Sequence, residues 1–360
     1  MASRPLVPDL ARPPFAGAPD ASFEAAPADG VLPEGFFCTS NLPTYVHVGE
    51  RWILPVRPRM DGVVVRRGDA LETVEPRRVR AGEPVLVGVA EDGTQGVVVY
   101  AAGFLGAVAG PNEFRFMGTD VSRERPANYD EMAGRLEEER RAGGYLLWVV
   151  GPALVHSRAR ADFEWFVRHG YVQAVLVGNA VAVHDIEAAM YGTTLGMTSE
   201  GKAAAAGHGL HMRAINRVAA AGSIERAVEQ GLIASGIMHA LVTERIPYVL
   251  AGSIRDDGPL PGVLTDSVAA QDAMREHTTR ATGAVLVATA LHAIAVGNML
   301  PAFHTNRGAP EPLMTICVDQ TEFVVSKLKD RGTHQAFGVV TNAQDFMHVL
   351  RSYVEKCRAS

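Results

Sequence analysis

Six short apolar runs in the second half of the chain constrain its fold more than any other feature. They are YLLWVV (145–150), VQAVLV (172–177), PYVLA (247–251), AVLVA (284–288), MTICV (314–318) and AFGVV (336–340). A strand with one face in water alternates apolar and polar residues. A run that is apolar throughout and rich in β-branched residues is covered on both faces, as in a parallel sheet. Between the runs apolar residues recur at helical spacing, Phe163, Phe166 and Val167 forming one such stripe. Six strand–helix repeats predict a doubly wound, mainly parallel Rossmann-like α/β sheet, assigned to residues 145–357.

The residues before it have a different texture. From Phe36 to Phe116, short β-rich runs (Tyr45–Val48, Val63–Val65, Val85–Val89 and Gly96–Tyr100) alternate with Gly, Pro and Asp-Gly turn signals. This predicts a smaller β-rich N-terminal domain over 31–121. Residues 122–144, with the charged run Arg135–Arg141, are expected as a linking helix on the surface. Residues 1–30, rich in Pro, Ala and Asp, are expected as a flexible leader.

Composition narrows the function. With 47 % hydrophobic and 21 % charged residues in 360, there is material for two cores. A net charge of −6 argues against nonspecific binding to nucleic acid or to membrane surfaces. Three widely spaced cysteines, Cys38, Cys317 and Cys357, offer neither a disulfide framework nor a zinc site, so a cytoplasmic location and no metal are expected. No apolar run reaches about 18 residues, and the first residues lack the apolar core of a signal peptide.

In an open parallel sheet, ligands bind outside the carboxyl ends of the strands. The residues following the six runs are Gly151-Pro152-Ala153, Gly178-Asn179-Ala180, Gly252 to Gly258, Thr289-Ala290-Leu291-His292, Asp319-Gln320 and Thr341-Asn342-Ala343. Small or hydrogen-bonding residues appear at all six ends, as a nucleotide site requires, and Asp319 is placed to accept hydrogen bonds from ribose hydroxyls. The same residue types also serve as ordinary turns and helix caps. The GxGxxG fingerprint of standard dinucleotide folds is absent.

A polar cluster lies between the second and third runs. If 180–191 is a helix, His184, Glu187 and Tyr191 share a face. In the segment His208 to Asn216, Met212, Ile215 and Val218 are expected to form the apolar face, leaving His211, Arg213 and Asn216 as polar groups nearby. Such residues hold carboxylates and move protons. They are equally at home on a solvated helix face.

The segments FFCTSNLPTYVHV, RMDGVVV, FRFMGTDVSRERP, GNAVAVHDIE, YGTTLG, HMRAINRVAAAGSI, ATALHAIAVGNMLP and VTNAQDF occur in this order. Together they resemble the archaeal-type ornithine cyclodeaminase family, the LOR/SDH bifunctional enzyme conserved domain. The same module is similar to the C-terminal part of cyanobacterial arginine dihydrolase/ornithine cyclodeaminase. The resemblance spans roughly residues 30 to 356. It implies a β-rich domain followed by an NAD-binding fold similar to that of deoxyhypusine synthase and transhydrogenase. For NAD it implies contacts from Asn179 and Ala180, Asp257 or Asp256, Thr289, Ala290, Leu291 and His292, Asp319, and Asn342 with Ala343. Three features depart from the family pattern: Asn342-Ala343 in place of an acidic residue, GHGL before HMRAIN, and an insertion over Phe303–Pro312.

The implied reaction makes proline and ammonia from ornithine without net redox change. The substrate Cα gives its hydrogen to NAD, the δ-amine attacks the resulting imine, ammonia leaves, and the cyclic imine takes the hydrogen back. Arg213 is the first choice for the substrate carboxylate. His211, Asp257 and Asp185 are the candidate bases. The alternatives are a dehydrogenase or cyclodeaminase acting on another amino acid, and a non-catalytic NAD-binding regulatory protein. The expected partners are a small amino-acid substrate and further copies of the chain in a homo-oligomer.

Overall fold

The computed structural model describes residues 8–101, 128–198, 200–204, 207–256, 258–306, 308–322, 324–325 and 336–359. Asp257 and the FRFMGTDVSRERP segment lie outside the described residues. The chain divides into two compact units. One is Met1–Thr119, Gly297–Leu313 and Leu328–Gln335; the other is Asp120–Val296, Met314–Lys327 and Ala336–Ser360.

The first unit is built from β1 (Ser22–Ala25), β2 (Thr44–Val48), β3 (Arg51–Ile53), β4 (Val63–Arg67), β5 (Ala70–Val74), β6 (Pro84–Val87) and β7 (Val97–Val99). A four-stranded sheet in the order β1-β6-β4-β5 and a three-stranded sheet in the order β3-β2-β7 share one apolar core. Val46 and Val97 come to that core from the smaller sheet; Val64, Leu71 and Leu86 come from the larger. The expected flexible leader over 1–30 is corrected in part: Ser22–Ala25 pairs antiparallel with β6, and Phe15 is buried against Tyr45 and Trp52. Backbone pairing and an aromatic anchor fix what composition alone marks as unstructured.

The second unit carries the predicted sheet. Its elements begin with α1 (Tyr129–Arg141), β8 (Leu146–Val150), α2 (Ala153–His156), α3 (Arg160–Arg168), β9 (Ala174–Gly178) and α4 (Asn179–Tyr191). A small hairpin of β10 (Thr193–Thr194) and β11 (Met197–Thr198) follows, then α5 (Leu210–Ala221), α6 (Ile224–Glu229), α7 (Ile237–Thr243), β12 (Tyr248–Ala251), α8 (Ser267–Thr278), β13 (Gly283–Val287) and α9 (Ala290–Met299). The 303–312 insertion is a hairpin of β14 (Phe303–Asn306) and β15 (Ala309–Pro312) and belongs to the first unit, where the amide of Ala302 donates to the carbonyl of Asn41. The chain ends with β16 (Met314–Asp319), β17 (Ala336–Val340) and α10 (Ala343–Ala359).

Six strands pair in the order β12-β9-β8-β13-β16-β17, every pair parallel. Numbered within this sheet alone, that order is 3-2-1-4-5-6, the arrangement of doubly wound dinucleotide folds. β8 and β13 are buried along their whole length, which explains why their sequences contain no polar alternation. No helix of the described residues is long and apolar enough to cross a membrane.

The surface linking helix is corrected as well. α1 buries Met132, Ala133, Leu136 and Glu137 and packs along α10, with Tyr129 stacked on Tyr353. Its charged run holds a buried knot: Glu137 accepts from Arg140, from Arg141 and from the Tyr171 hydroxyl. The Arg140 bond, outweighing burial and aided by Tyr171 and Arg141, brings the Glu137 pKa from 4.5 to about 2. A lowered carboxylate pKa stabilises the fold above the unfolded value, and that contribution disappears as pH falls through the folded one. Urea denaturation should therefore show wild-type stability falling between pH 4.5 and about 2. Glu137→Gln should be less stable at neutral pH by about 1–3 kcal/mol and flatter across that window. An identical pH dependence in both proteins would contradict this role.

Candidate active site

In a parallel sheet every loop that leaves a carboxyl end lies on one edge. The strand order reverses between β8 and β13, and there the crevice opens. Gly151, directly after β8, donates its amide to Val287 at 2.9 Å, and a Cβ at this position would sit 1.8 Å from the carbonyl oxygen of Ala288. Ala288 itself has φ +54, a conformation few non-glycine residues adopt, and its amide donates to Val318. The central strand ends thus meet backbone to backbone, which leaves no room for a side chain. At the end of β9 a Cβ on Gly178 would lie 2.9 Å from the His292 ring. His292, from the start of α9, therefore packs against the end of β9, and burial lowers its pKa.

Beside this edge is a cleft of about 120 Å³. Asn179, Ala180, Val183 and His184 of α4 form one wall, and His211, Met212 and Ile215 of α5 another. Arg255, Asp256 and Gly258, in the loop after β12, close the third side. Asn179 is buried, and its Oδ1 accepts from the Leu260 amide at 3.1 Å, fastening that loop to α4. The N-cap of α4 is Gly178, which has no side chain to cap the helix, so its first N–H groups are placed as donors for a bound anion. The loop is braced internally: Asp256 accepts from the Ser253 amide at 2.7 Å, and the Arg255 amide donates to the Ser253 hydroxyl. The Arg255 side chain is exposed and has no ion pair among the described residues.

Of the polar and cofactor-binding residues singled out in the sequence, Asn179, Ala180, His184, His211 and Asp256 line the cleft. Thr289, Ala290, Leu291 and His292 begin α9 at the same edge. Asp319 ends β16; its Oδ1 accepts from the Thr321 amide and hydroxyl, both at 2.9 Å, while Oδ2 carries no hydrogen bond among the described residues. Asn342 accepts from the Asp345 amide at 2.8 Å and so caps α10, and Ala343 is buried in its first turn.

Two assignments are corrected. Asp185 is fully buried away from the cleft, where its carboxylate accepts from the amides of Ile237 and Met238 and from Arg160 Nε at 2.6 Å. It caps α7 inside an ion pair and has no means of reaching a substrate. Arg213 is exposed and is not a lining residue. The buried face of α5 is Ala214 and Val218, so Met212 and Ile215 turn to the cleft and Arg213 falls on another side. The arginine that lines the cleft is Arg255, from the loop after β12. Its signal in the sequence was a single guanidinium at a strand end. His156, not singled out, has its ring 4.6 Å from that of His184, and burial together with His184 lowers its pKa.

Residues 130–350 match the family described as arginine dihydrolase ArgZ-like, C-terminal, Rossmann fold, and residues 43–129 match its first region. An ornithine cyclodeaminase of Methanopyrus kandleri is 42 % identical over 341 residues, covering 93 % of this chain and 78 % of that one. The crystal structure of a LOR/SDH protein from Methanococcus maripaludis S2 superposes with a TM-score of 0.84 at 38 % identity, over 94 % of this chain and 99 % of that one. The ternary complex of AgrE with ornithine and NAD+ gives a TM-score of 0.60 at 35 % identity, over 95 % of this chain and 47 % of that one.

The glycine at the strand reversal gives a direct test. Gly151→Ala should destabilise the protein by about 1–3 kcal/mol, read as a lower Tm. Gly258→Ala has only Met212 Cε near its Cβ, at 3.6 Å, and should melt like wild type. Equal melting of both variants would contradict the described close approach.

Proposed function

The chain belongs to the family of ArgZ-like C-terminal modules and archaeal ornithine cyclodeaminases, and on that premise we propose that it is an NAD-dependent ornithine cyclodeaminase, an ammonia-lyase that forms proline from ornithine. The observation that carries this reading is the convergence of Arg255, Asp256, His184 and His211 on one cleft at the uncapped start of α4. A guanidinium, a carboxylate and two imidazoles are what a diamino acid needs to be held and to exchange protons. The AgrE complex with ornithine and NAD+ supports the pairing of substrate and cofactor.

The strand-end edge fits NAD. Uncapped amides at Asn179 and Ala180 suit its phosphates, Asp319 Oδ2 suits a ribose hydroxyl, and the start of α9 from Thr289 to His292 and the Asn342–Ala343 turn complete the edge. When bound, NAD accepts the hydrogen of the substrate Cα and returns it to the cyclic imine. Arg255 binds the α-carboxylate through two parallel N–H donors. His211 takes a proton from the α-ammonium, so that the nitrogen lone pair is free to form the imine. Val183, Met212 and Ile215 form apolar walls that limit water around the imine carbon. The proposal includes a reducing, cytoplasmic setting, supported by three cysteines widely spaced in the sequence, Cys38, Cys317 and Cys357, and a homo-oligomeric state.

Arginine scanning separates the two candidate cations. Arg255→Ala should raise the KM for ornithine by roughly 10- to 100-fold, the loss expected when charge-assisted hydrogen bonds of about 1.5–3 kcal/mol are removed, and leave the Kd for NAD unchanged. Arg213→Ala should leave both constants near wild type. Steady-state proline formation and NAD titration read them. The reverse pattern would return the carboxylate to Arg213, and a wild-type protein that forms no proline from ornithine with NAD would refute the function.

A further inference from the structure

Glu187 lies on the same helix as Asp185 but is used differently. It is fully buried. Its Oε1 accepts from the Thr193 hydroxyl and the Gly196 amide, both at 2.8 Å, and its Oε2 accepts from the Leu195 amide at 2.9 Å. Burial pushes its pKa up, but His184 and these three bonds outweigh it and hold the carboxylate below its ordinary range. Oε2 also faces His184 Nδ1 at 3.7 Å, too far for a hydrogen bond and near enough to form one after a small rotation. That Nδ1 is buried and has no hydrogen-bond partner. His184 is 8 % exposed and lines the cleft.

A buried imidazole nitrogen left without a partner is costly unless it serves a purpose. From its geometry we propose that His184, backed by Glu187, is the second proton-exchanging group of the cleft, serving the δ-nitrogen of a diamino acid. This rests on the function proposed above, and it answers a need that His211 alone leaves open. Two ammonium groups of the substrate lose protons before the ring closes, and one imidazole holds one proton at a time.

The protons balance. His184 takes one from the δ-ammonium, and the freed lone pair forms the new C–N bond to the imine carbon. His184 gives its proton to the α-nitrogen and then takes one from the ring nitrogen, which became an ammonium on bond formation. The lone pair so freed forms the cyclic imine as the bond from Cα to the α-nitrogen breaks and ammonia leaves. The two protons held by His211 and His184 at the end pass to proline and ammonia, so none is consumed. Each time the ring becomes an imidazolium, Glu187 stands against the charge at Nδ1, in the way the buried carboxylate of a catalytic triad stands behind its histidine. Glu187 acts through His184 and is a positioning residue. The other titratable or charged groups facing His184 are His156 from α2, His211 from α5, and Arg255 and Asp256 across the cleft.

The test uses the full chain with saturating NAD and ornithine. His184→Gln should lower kcat by roughly 10²–10⁴-fold while the Kd for NAD stays within twofold of wild type. Added imidazole should restore activity to His184→Ala. Glu187→Gln keeps an acceptor for Thr193 and Gly196 but removes the charge; its kcat should fall, and the acid limb of its kcat/KM profile should move to lower pH. Three results would overturn the relay: a His184→Gln kcat within threefold of wild type, no rescue by imidazole, or an unmoved acid limb in Glu187→Gln. Because wild-type turnover is measured in the same series, loss of the relay with active wild type leaves the cyclodeaminase reading standing. An inactive wild type removes both.

Discussion

A six-stranded sheet with every pair parallel sends all its outgoing loops to one edge, and the rest of the second unit depends on that constraint. Residues far apart in sequence, from Gly151 to Ala343, are gathered there by strand direction alone. The fit is tightest where the order reverses. Gly151 and Ala288 touch backbone to backbone, and the positive φ of Ala288 is held in place by the hydrogen bond its N–H donates to the Val318 carbonyl. A strained residue persists where its surroundings over-determine it, and such residues collect at functional sites.

Three buried carboxylates show how burial separates structural from chemical work. Glu137 is saturated by two guanidinium groups and a phenol. Asp185 is saturated by two amides and Arg160. Glu137 holds two donors on each oxygen, and Asp185 holds two on Oδ1 and one on Oδ2. Glu187, two residues from Asp185 and so on a different face of α4, leaves one flank of Oε2 to an imidazole that has no other partner. The same helix therefore caps α7 on one side and presents a proton-exchange couple to the cleft on another.

The parallel sheet was legible because strands covered on both faces have no polar alternation to obscure them; LLWVV and GAVLV name themselves. β3 and β5 were not read, because they are half-exposed and carry Arg51 or Glu72 within the strand. The β14–β15 hairpin holds two prolines, Pro310 and Pro312, which weaken any strand signal. Within the site, periodicity put Met212 and Ile215 in the core, since both are apolar. Val218 is buried as expected and Ala214 joins it; Ile215 packs partly against the core and also lines the cleft, and Met212 is an exposed cleft wall. Residue type shows that a guanidinium is available; only the helix phase and the loop path show which one reaches the cleft.

The central claim is that the strand-end edge and its neighbouring cleft form one site in which the substrate hydrogen leaves Cα and comes back. Ornithine deuterated at Cα, turned over with substoichiometric unlabelled NAD, tests this directly by mass spectrometry of the product. The account predicts proline that retains deuterium at Cα, several turnovers per NAD, and no accumulation of reduced cofactor. Proline carrying solvent hydrogen at Cα, or deuterated NADH released in step with product, would contradict it.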